Sequence, residues 1–346
     1  MRGILLRLFF ISSICLPLLT QAKTQNNVHG CDTRTDDKLW SFYKQQFITQ
    51  QGRVIDNGNK NISHSEGQGY GMLMAVFFND HQSFKQIWHW TKTKLQRQND
   101  PLFSWKWQQQ TPHIPDPNNA SDGDIFIAWA LLKAEQKWSG NSYIRDAEAI
   151  IEELAKSHII SLDQEYALLP AKYGFKKTES TIINPSYWVY PAFNDFARKN
   201  AIWTKLSQSG QKILDKNQFG QFRLPSDWLE FSHSRWHPAV KFSPRFSYSS
   251  YRVPLYLVWG GYDNAINHNF PKWLQRSNSA WLNVINNEMA NYGPPGGAHA
   301  IAALIQQSQT TNKYRSSLPH PDHQDDYYSA SLILFSHIAF HERYCQ

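Results

Sequence analysis

Cysteine is scarce in this chain: three in 346 residues. That excludes a small disulfide-stapled scaffold, which needs a dense cysteine framework. Charge is scarce as well. Asp, Glu, Lys and Arg make up 18% of the residues, too few for a self-repelling disordered tail. No segment beyond residue 22 reaches the run of apolar residues that a membrane span requires. G-x-G-x-x-G, Walker A and G-x-S-x-G motifs do not occur, so neither nucleotide binding nor serine-hydrolase chemistry has a basis in the sequence. His64, His81, His89 and His113 show no metal-ligand spacing and read as surface or loop histidines. His320-Pro321-Asp322-His323 reads as a polar loop rather than a metal site. No metal and no cofactor are expected.

The basic excess is thin. The formal net charge is +7. Part of it lies at the N-terminus, where Arg2 and Arg7 flank the start of an apolar run to Leu19, followed by Thr20-Gln21-Ala22. That order reads as a secretory signal peptide over residues 1–22. Its cleavage leaves +5. The longest basic cluster, Lys172 with Lys176-Lys177, is too sparse for a nucleic-acid footprint. The expected product is a periplasmic or secreted chain, 23–346, most simply a monomer. Two cysteines remain in it, Cys31 and Cys345, at opposite ends. In an oxidising compartment they either pair or stay as two thiols. A pair would close a very long loop, worth on the order of 5 kcal/mol in a chain-entropy model.

Aromatic residues are plentiful, with 14 Trp, 16 Tyr and 20 Phe. Such a surplus means either an aromatic core or flat platforms for a ligand with apolar faces. The hydrophobic pattern is helical throughout, in two alternating kinds. Segments 67–78, 122–138, 185–197 and 251–259 are apolar on nearly every side, the third with a kink expected at Pro191. Segments 81–96, 143–158 and 201–216 carry one apolar stripe, and helices are also expected near 39–47, over 270–291, 297–307 and 325–341. A helix apolar all round is buried all round. The simplest arrangement is two concentric layers in one domain, an α/α toroid. No 30–50-residue repeat supports an α-solenoid. Long connections at 100–120, 158–183 and 217–247 carry Trp105, Trp107, Asp116, Asp227, Trp228, Glu230 and Trp236, and long loops in compact domains are often functional.

Two motifs stand at the starts of all-round apolar helices: Ser65-Glu66-Gly67-Gln68-Gly69 and Ala120-Ser121-Asp122-Gly123-Asp124. Acids at helix starts are common as caps. Two acid–Gly starts on inner helices can also face one ligand, and paired carboxylates flanking a sugar are the apparatus of glycosidic hydrolysis. Here the sequence resembles glycoside hydrolase family 8, within it the periplasmic cellulases of bacterial cellulose-synthesis operons. Ala120 to Asp124 with Ile127-Ala128, Ala130, Ala134 and Trp138 carries the resemblance. So do Gly52-Arg53-Val54-Ile55-Asp56, Asn184-Pro185-Ser186-Tyr187 and Ser247-Tyr248 with Arg252-Val253, in the expected order.

The resemblance implies an all-α (α/α)6 toroid, with six inner and six outer helices, and hydrolysis of β-1,4-glucan with inversion. It makes Glu66 the general acid and Asp122 the residue holding the sugar at the cleavage point. Tyr187, Tyr248 and Arg252 then lie near that sugar, with Trp105, Trp107, Trp129, Tyr327 and Tyr328 as candidates for stacking. Partners would be glucan chains and the cellulose synthase export machinery. One position departs from the pattern. The family reads an Asp where this chain has Ser249, and that Asp is its general base. Either another carboxylate supplies the base (Asp227, Glu230 or Asp263), or the enzyme is slow, or the protein binds glucan without cleaving it. Xylan stays open as a substrate; chitosan, being cationic, suits the positive charge less.

Overall fold

The computed structural model describes residues 28–29, 31, 34–140 and 142–345; the expected signal peptide lies outside them. Eleven α-helices account for the architecture. In chain order they are α1 (Arg34–Phe47), α2 (Ser65–Phe77), α3 (His81–Leu95), α4 (Ser121–Lys137), α5 (Tyr143–Ser157), α6 (Tyr190–Phe196), α7 (Ile202–Lys216), α8 (Arg252–Gly260), α9 (Ala265–Ser277), α10 (Gly296–Gln309) and α11 (Tyr327–Tyr344). The all-round apolar segments are the inner helices. Every residue of α4 from Ser121 to Leu132 is buried, as is α8 from Arg252 to Trp259. The striped segments form the outer layer. On α3 the buried face includes Phe84, Ile87, Trp88, Thr91 and Leu95, the stripe the periodicity predicts.

An aromatic hub ties the inner layer together. Tyr70 on α2 meets Phe126 on α4 edge-on at 4.7 Å and Phe335 on α11 at 4.6 Å. Trp129 and Trp259 continue it onto α8 at 5.1 Å. Close backbone approach does the rest. A Cβ on Gly69 would lie 2.6 Å from the Phe126 Cβ and 2.9 Å from the Ile127 nitrogen. Only glycine lets α2 and α4 pack this tightly. The cost of a mid-helix glycine, roughly 0.5–1 kcal/mol, is offset by that contact.

The (α/α)6 toroid is the fold, with three local differences from expectation. First, the described residues hold eleven helices, not twelve. Between α10 and α11 the chain forms the two-residue strand Lys313–Tyr314 and the 3-10 turn Arg315–Ser317 but no further α-helix, and Pro319 and Pro321 beyond them cannot continue one. The outward face of α10, with His299, stays exposed. Second, the helix expected over 270–291 is α9, which ends at Ser277. Asn278 takes a left-handed conformation (φ 44°) and stops it. The chain beyond forms a short hairpin-like arm in which Ala280 and Tyr292 pair. Third, Pro191 does not kink a helix but starts one, α6, behind the 3-10 turn Pro185–Tyr187. The long connections also carry small antiparallel pairings, of which 180–183, 229–232 and 235–238 form a three-stranded sheet. Cys31 and Cys345 are bonded, with Cα atoms 5.6 Å apart, so the two ends of the described chain are tied together.

Candidate active site

The first turn of α2 places Glu66, and the first turn of α4 places Asp122. Their helices touch at these turns because Gly123 has no side chain. A Cβ there would stand 2.1 Å from Ser65 Oγ and 2.7 Å from the Glu66 nitrogen. Gly123→Ala is therefore expected to push Glu66 out of place and to cost about 1–3 kcal/mol by overpacking. A thermal melt run beside an activity assay checks this, with both expected to fall together.

Arg252, the first residue of α8, joins the two acids. Its Nη1 pairs with Glu66 Oε1 and lies 3.2 Å from Asp122 Oδ2, and its Nη2 donates to Ser186 Oγ at 2.9 Å. A cation at a helix N-terminus opposes the helix dipole, and two carboxylates offset that penalty here. The Tyr70 hydroxyl donates to Glu66 Oε1 at 2.7 Å and shares a 2.9 Å hydrogen bond with Tyr256. Glu66 is thus held on one oxygen from two sides.

Asp122 is 3% exposed. Burial pushes its carboxyl up to about 7, against the hydrogen bond donated by the Gly123 amide. The unfolded value is near 3.9, so the folded state holds the proton more tightly. The stability linked to that proton is complete below about pH 4 and is lost as pH rises through about 7. Asp122→Asn keeps the group neutral at every pH. The melting-temperature difference between this variant and the wild type is expected to shift in favour of the variant as pH rises from about 4 to 8; melts across that range measure it. Asp124, two residues along in the same first turn, is pushed up to about 7 by burial as well. Its work is structural: it accepts from the Phe103 amide at 2.9 Å and the Asn119 side chain at 2.8 Å.

Glu66, Asp122 and Arg252 line a cavity of about 240 Å³, walled also by Asp56, His64, Trp105, Tyr187, Tyr327 and Tyr328. A larger cleft of about 460 Å³ lies between α9 and α10, but it holds no carboxylate, so it lacks the means for acid catalysis. A cavity with Glu66 and Asp122 joined by one arginine, and with Tyr and Trp rings on its wall, offers an acid and stacking faces to a sugar. The family model described as glycosyl hydrolases family 8 matches residues 16–341. The chain belongs to glycosyl hydrolases family 8. An endoglucanase of Cellulomonas uda is 36% identical over 273 residues, covering 77% of this chain and 76% of that one. A probable endoglucanase of Novacetimonas hansenii is 36% identical over 312 residues, covering 87% and 89%. The crystal structure of endoglucanase Cel10 from Klebsiella pneumoniae superposes with a TM-score of 0.82 at 36% identity, covering 89% of this chain and all of that one.

The family's remaining positions divide into those the cavity collects and those it does not. Tyr187 lies beneath Arg252, with the guanidinium carbon 5.8 Å from its ring. Trp105 is held at the rim by a 2.9 Å hydrogen bond to Asp116. Tyr248 is 40% exposed and meets Tyr328 edge-on at 5.6 Å, just outside the cavity. Trp129 does not reach the cavity. It is 1% exposed and donates to Asp195 at 2.8 Å, because α4 turns that face into the aromatic hub. Trp107 is used up by packing, with Arg53 over its ring at 4.9 Å and His113 stacked at 5.3 Å. Trp228 is sandwiched between Phe175 and Phe242, so neither face is open to a sugar.

The candidates for a replacement base fare no better. Asp227 is 7% exposed, and its carboxylate accepts from the Ser247 and Ser250 amides and the Ser247 hydroxyl. It braces the turn that carries Ser249. Glu230 lies in the strand Leu229–Ser232 and accepts from the Val240 amide at 3.3 Å. Asp263 follows the C-terminal end of α8, the end away from Arg252, and its side chain is 88% exposed. None of the three lines the cavity. Ser249 itself offers its carbonyl to Arg252 Nε at 3.3 Å.

Two cavity residues escape sequence reasoning. His64 is not a free loop histidine: its Nδ1 accepts from the Gly67 amide at 3.0 Å and caps α2, and its Nε2 lies 3.4 Å from Asp56 Oδ2. The signal was its place directly before Ser65-Glu66. Asp56 could have been found from the Gly52 to Asp56 match. Among the described residues, no three His, Cys, Asp or Glu side chains converge as metal ligands, and no helix is long and apolar enough to cross a membrane.

Proposed function

We propose that this protein is an exported endo-β-1,4-glucanase that cleaves cellulose-type chains with inversion, slowly because its general base is missing. The observation that carries the reading is one cavity in which Arg252 joins Glu66 to Asp122 beneath Tyr and Trp side chains. Glu66 protonates the leaving oxygen. Asp122 and Arg252 hold the sugar at the cleavage point. The endoglucanase names of the relatives favour β-1,4-glucan over xylan or chitosan. A place beside the cellulose export machinery rests on the resemblance to cellulose-operon enzymes, and export rests on the N-terminal sequence.

Inversion needs a second carboxylate across the sugar from the acid, with a water between. Asp56 is the third carboxylate on the cavity wall. It sits on Glu66's own side, linked through His64, whose Nδ1 is 3.9 Å from Glu66 Oε2. It is badly placed to face Glu66 across a substrate. The second reading, a protein that binds glucan without cleaving it, is favoured by the engagement of Asp227 and Glu230 elsewhere. Incubation with carboxymethyl-cellulose, lichenan, xylan and chitosan oligomers separates the readings. The proposal expects slow release of reducing ends from the first two. Binding without release from any polymer supports the second reading, and faster release from xylan or chitosan overturns the substrate assignment.

A further inference from the structure

The first turn of α4, which carries Asp122, has no side-chain cap. Ala120 stands in the cap position and has no acceptor to offer. The turn is held instead from the residue before. Asn119 is buried, and its one side chain reaches three separate parts of the chain. Its Nδ2 donates to Asp124 Oδ2 at 2.8 Å and lies 2.8 Å from Nε2 of His158, the residue that ends α5. Its Oδ1 accepts from the Lys172 amide at 2.8 Å. Asp124 and His158 are buried as well.

The hydrogens of this network have one arrangement. Ser157 Oγ donates to the Glu153 carbonyl at 2.7 Å, so it accepts from His158 Nδ1, 2.8 Å away. The ring proton therefore sits on Nδ1, and Nε2 is bare to accept from Asn119. Burial holds His158 down at about 4, so the ring is neutral near pH 7. Asp124 takes the second Asn119 hydrogen on Oδ2 and the Phe103 amide on Oδ1 at 2.9 Å. The charged groups around the network pair among themselves: Arg97 with Asp100 at 3.2 Å, and Lys172 with Asp100 at 2.9 Å and Glu153 at 3.2 Å. On the other side of Asp122, the Ser121 amide donates to the Pro170 carbonyl at 2.8 Å and its hydroxyl to the Leu169 carbonyl at 2.9 Å. Asp122 thus stands between two anchored neighbours, Ser121 and Asp124.

We propose that Asn119 is a positioning residue for Asp122, aiming the sugar-holding carboxylate through its bonds to Asp124, His158 and the Lys172 amide. This rests on the reading of Asp122 as the residue that holds the sugar at the cleavage point, and adds what aims it. The aim matters because a displacement of about 1 Å can cost roughly 10²-fold in rate. An amide fits the place because it brings two donor hydrogens and an acceptor together.

The test is Asn119→Asp, which keeps the shape and replaces the donors by an acceptor. Two carboxylates and His158 Nε2 then face one another, and only a bound proton reconciles them. The kcat/KM of Asn119→Asp on cellopentaose, divided by that of the wild type at the same pH, is expected to fall about tenfold or more from pH 5 to pH 8. Dividing by the wild type removes the titration of Glu66 and Asp122. Circular dichroism at the assay temperature gives the folded fraction, and rates are corrected for it. A ratio that stays flat with pH overturns the proposal. His158→Gln, which can still accept from Asn119, is expected to lose less than His158→Leu; equal losses overturn the proposal, and this pair decides if Asn119→Asp does not fold. In the wild type, nitrogen-15 NMR is expected to show His158 protonated on Nδ1 alone from pH 5 to 8, and a proton on Nε2 overturns the proposal. If the wild type hydrolyses nothing, the same ratios are read from association constants by calorimetry, so a failure of hydrolysis stays separate from a failure of positioning.

Discussion

Glu66→Gln is expected to cut reducing-sugar release from carboxymethyl-cellulose by roughly 10²–10⁴-fold, the usual worth of a general acid. A glutamine keeps an oxygen for Arg252 and Tyr70, whose bonds to Glu66 converge on Oε1. It has no proton to give to the leaving oxygen. Because the shape and the hydrogen bonds survive, the melting temperature and the affinity for the polymer are expected to stay near wild type. That combination separates a catalytic role from a structural one. A loss of release together with a large fall in melting temperature would mean that Glu66 serves chiefly as the ion-pair partner that holds α2 to α8. Retained release would move the acid elsewhere in the cavity.

The second large effect runs the other way. Ser249→Asp is expected to raise kcat by about 10²-fold or more, the lower end of what a general base contributes. A serine hydroxyl is too weakly basic to take a proton from water near neutral pH. Position 249 sits on the turn that Asp227 braces through the Ser247 and Ser250 amides, so an added carboxylate has a fixed backbone to stand on. The carbonyl of 249 already contacts Arg252, the residue that joins the two acids. Initial rates on carboxymethyl-cellulose, wild type beside variant, give the answer. An unchanged or lower rate would show that a carboxylate elsewhere already activates the water.

Much of this was legible from the residues. All-round apolar segments became inner helices, and the acid–Gly motifs at their starts became the two faces of one cavity. Both follow from patterns with a local physical cause: helical periodicity, and the need for glycine where two helix starts touch. What the sequence hid was set by tertiary context. Trp129 looks like a platform beside Asp122, yet helical rotation turns it into the core. Trp107 and Trp228 lie in the long connections, where aromatics suggest binding, yet Arg53 and His113 cover the first and Phe175 and Phe242 the second. His64 looked like a loop histidine because capping depends on a backbone angle that composition does not reveal. The apolar residues after Ser277 are spaced compatibly with a helix or an irregular arm, and Asn278 in a left-handed conformation ends α9 before them.

An inverting hydrolysis with Glu66 as the acid fixes which anomer forms first. Proton NMR of the first products from cellopentaose tests it most directly, using the wild type at high enzyme concentration and Ser249→Asp in parallel. Newly formed reducing ends are expected first as the α anomer, in both proteins and faster in the variant. Products appearing first as the β anomer, or no cleavage by either protein, would contradict it.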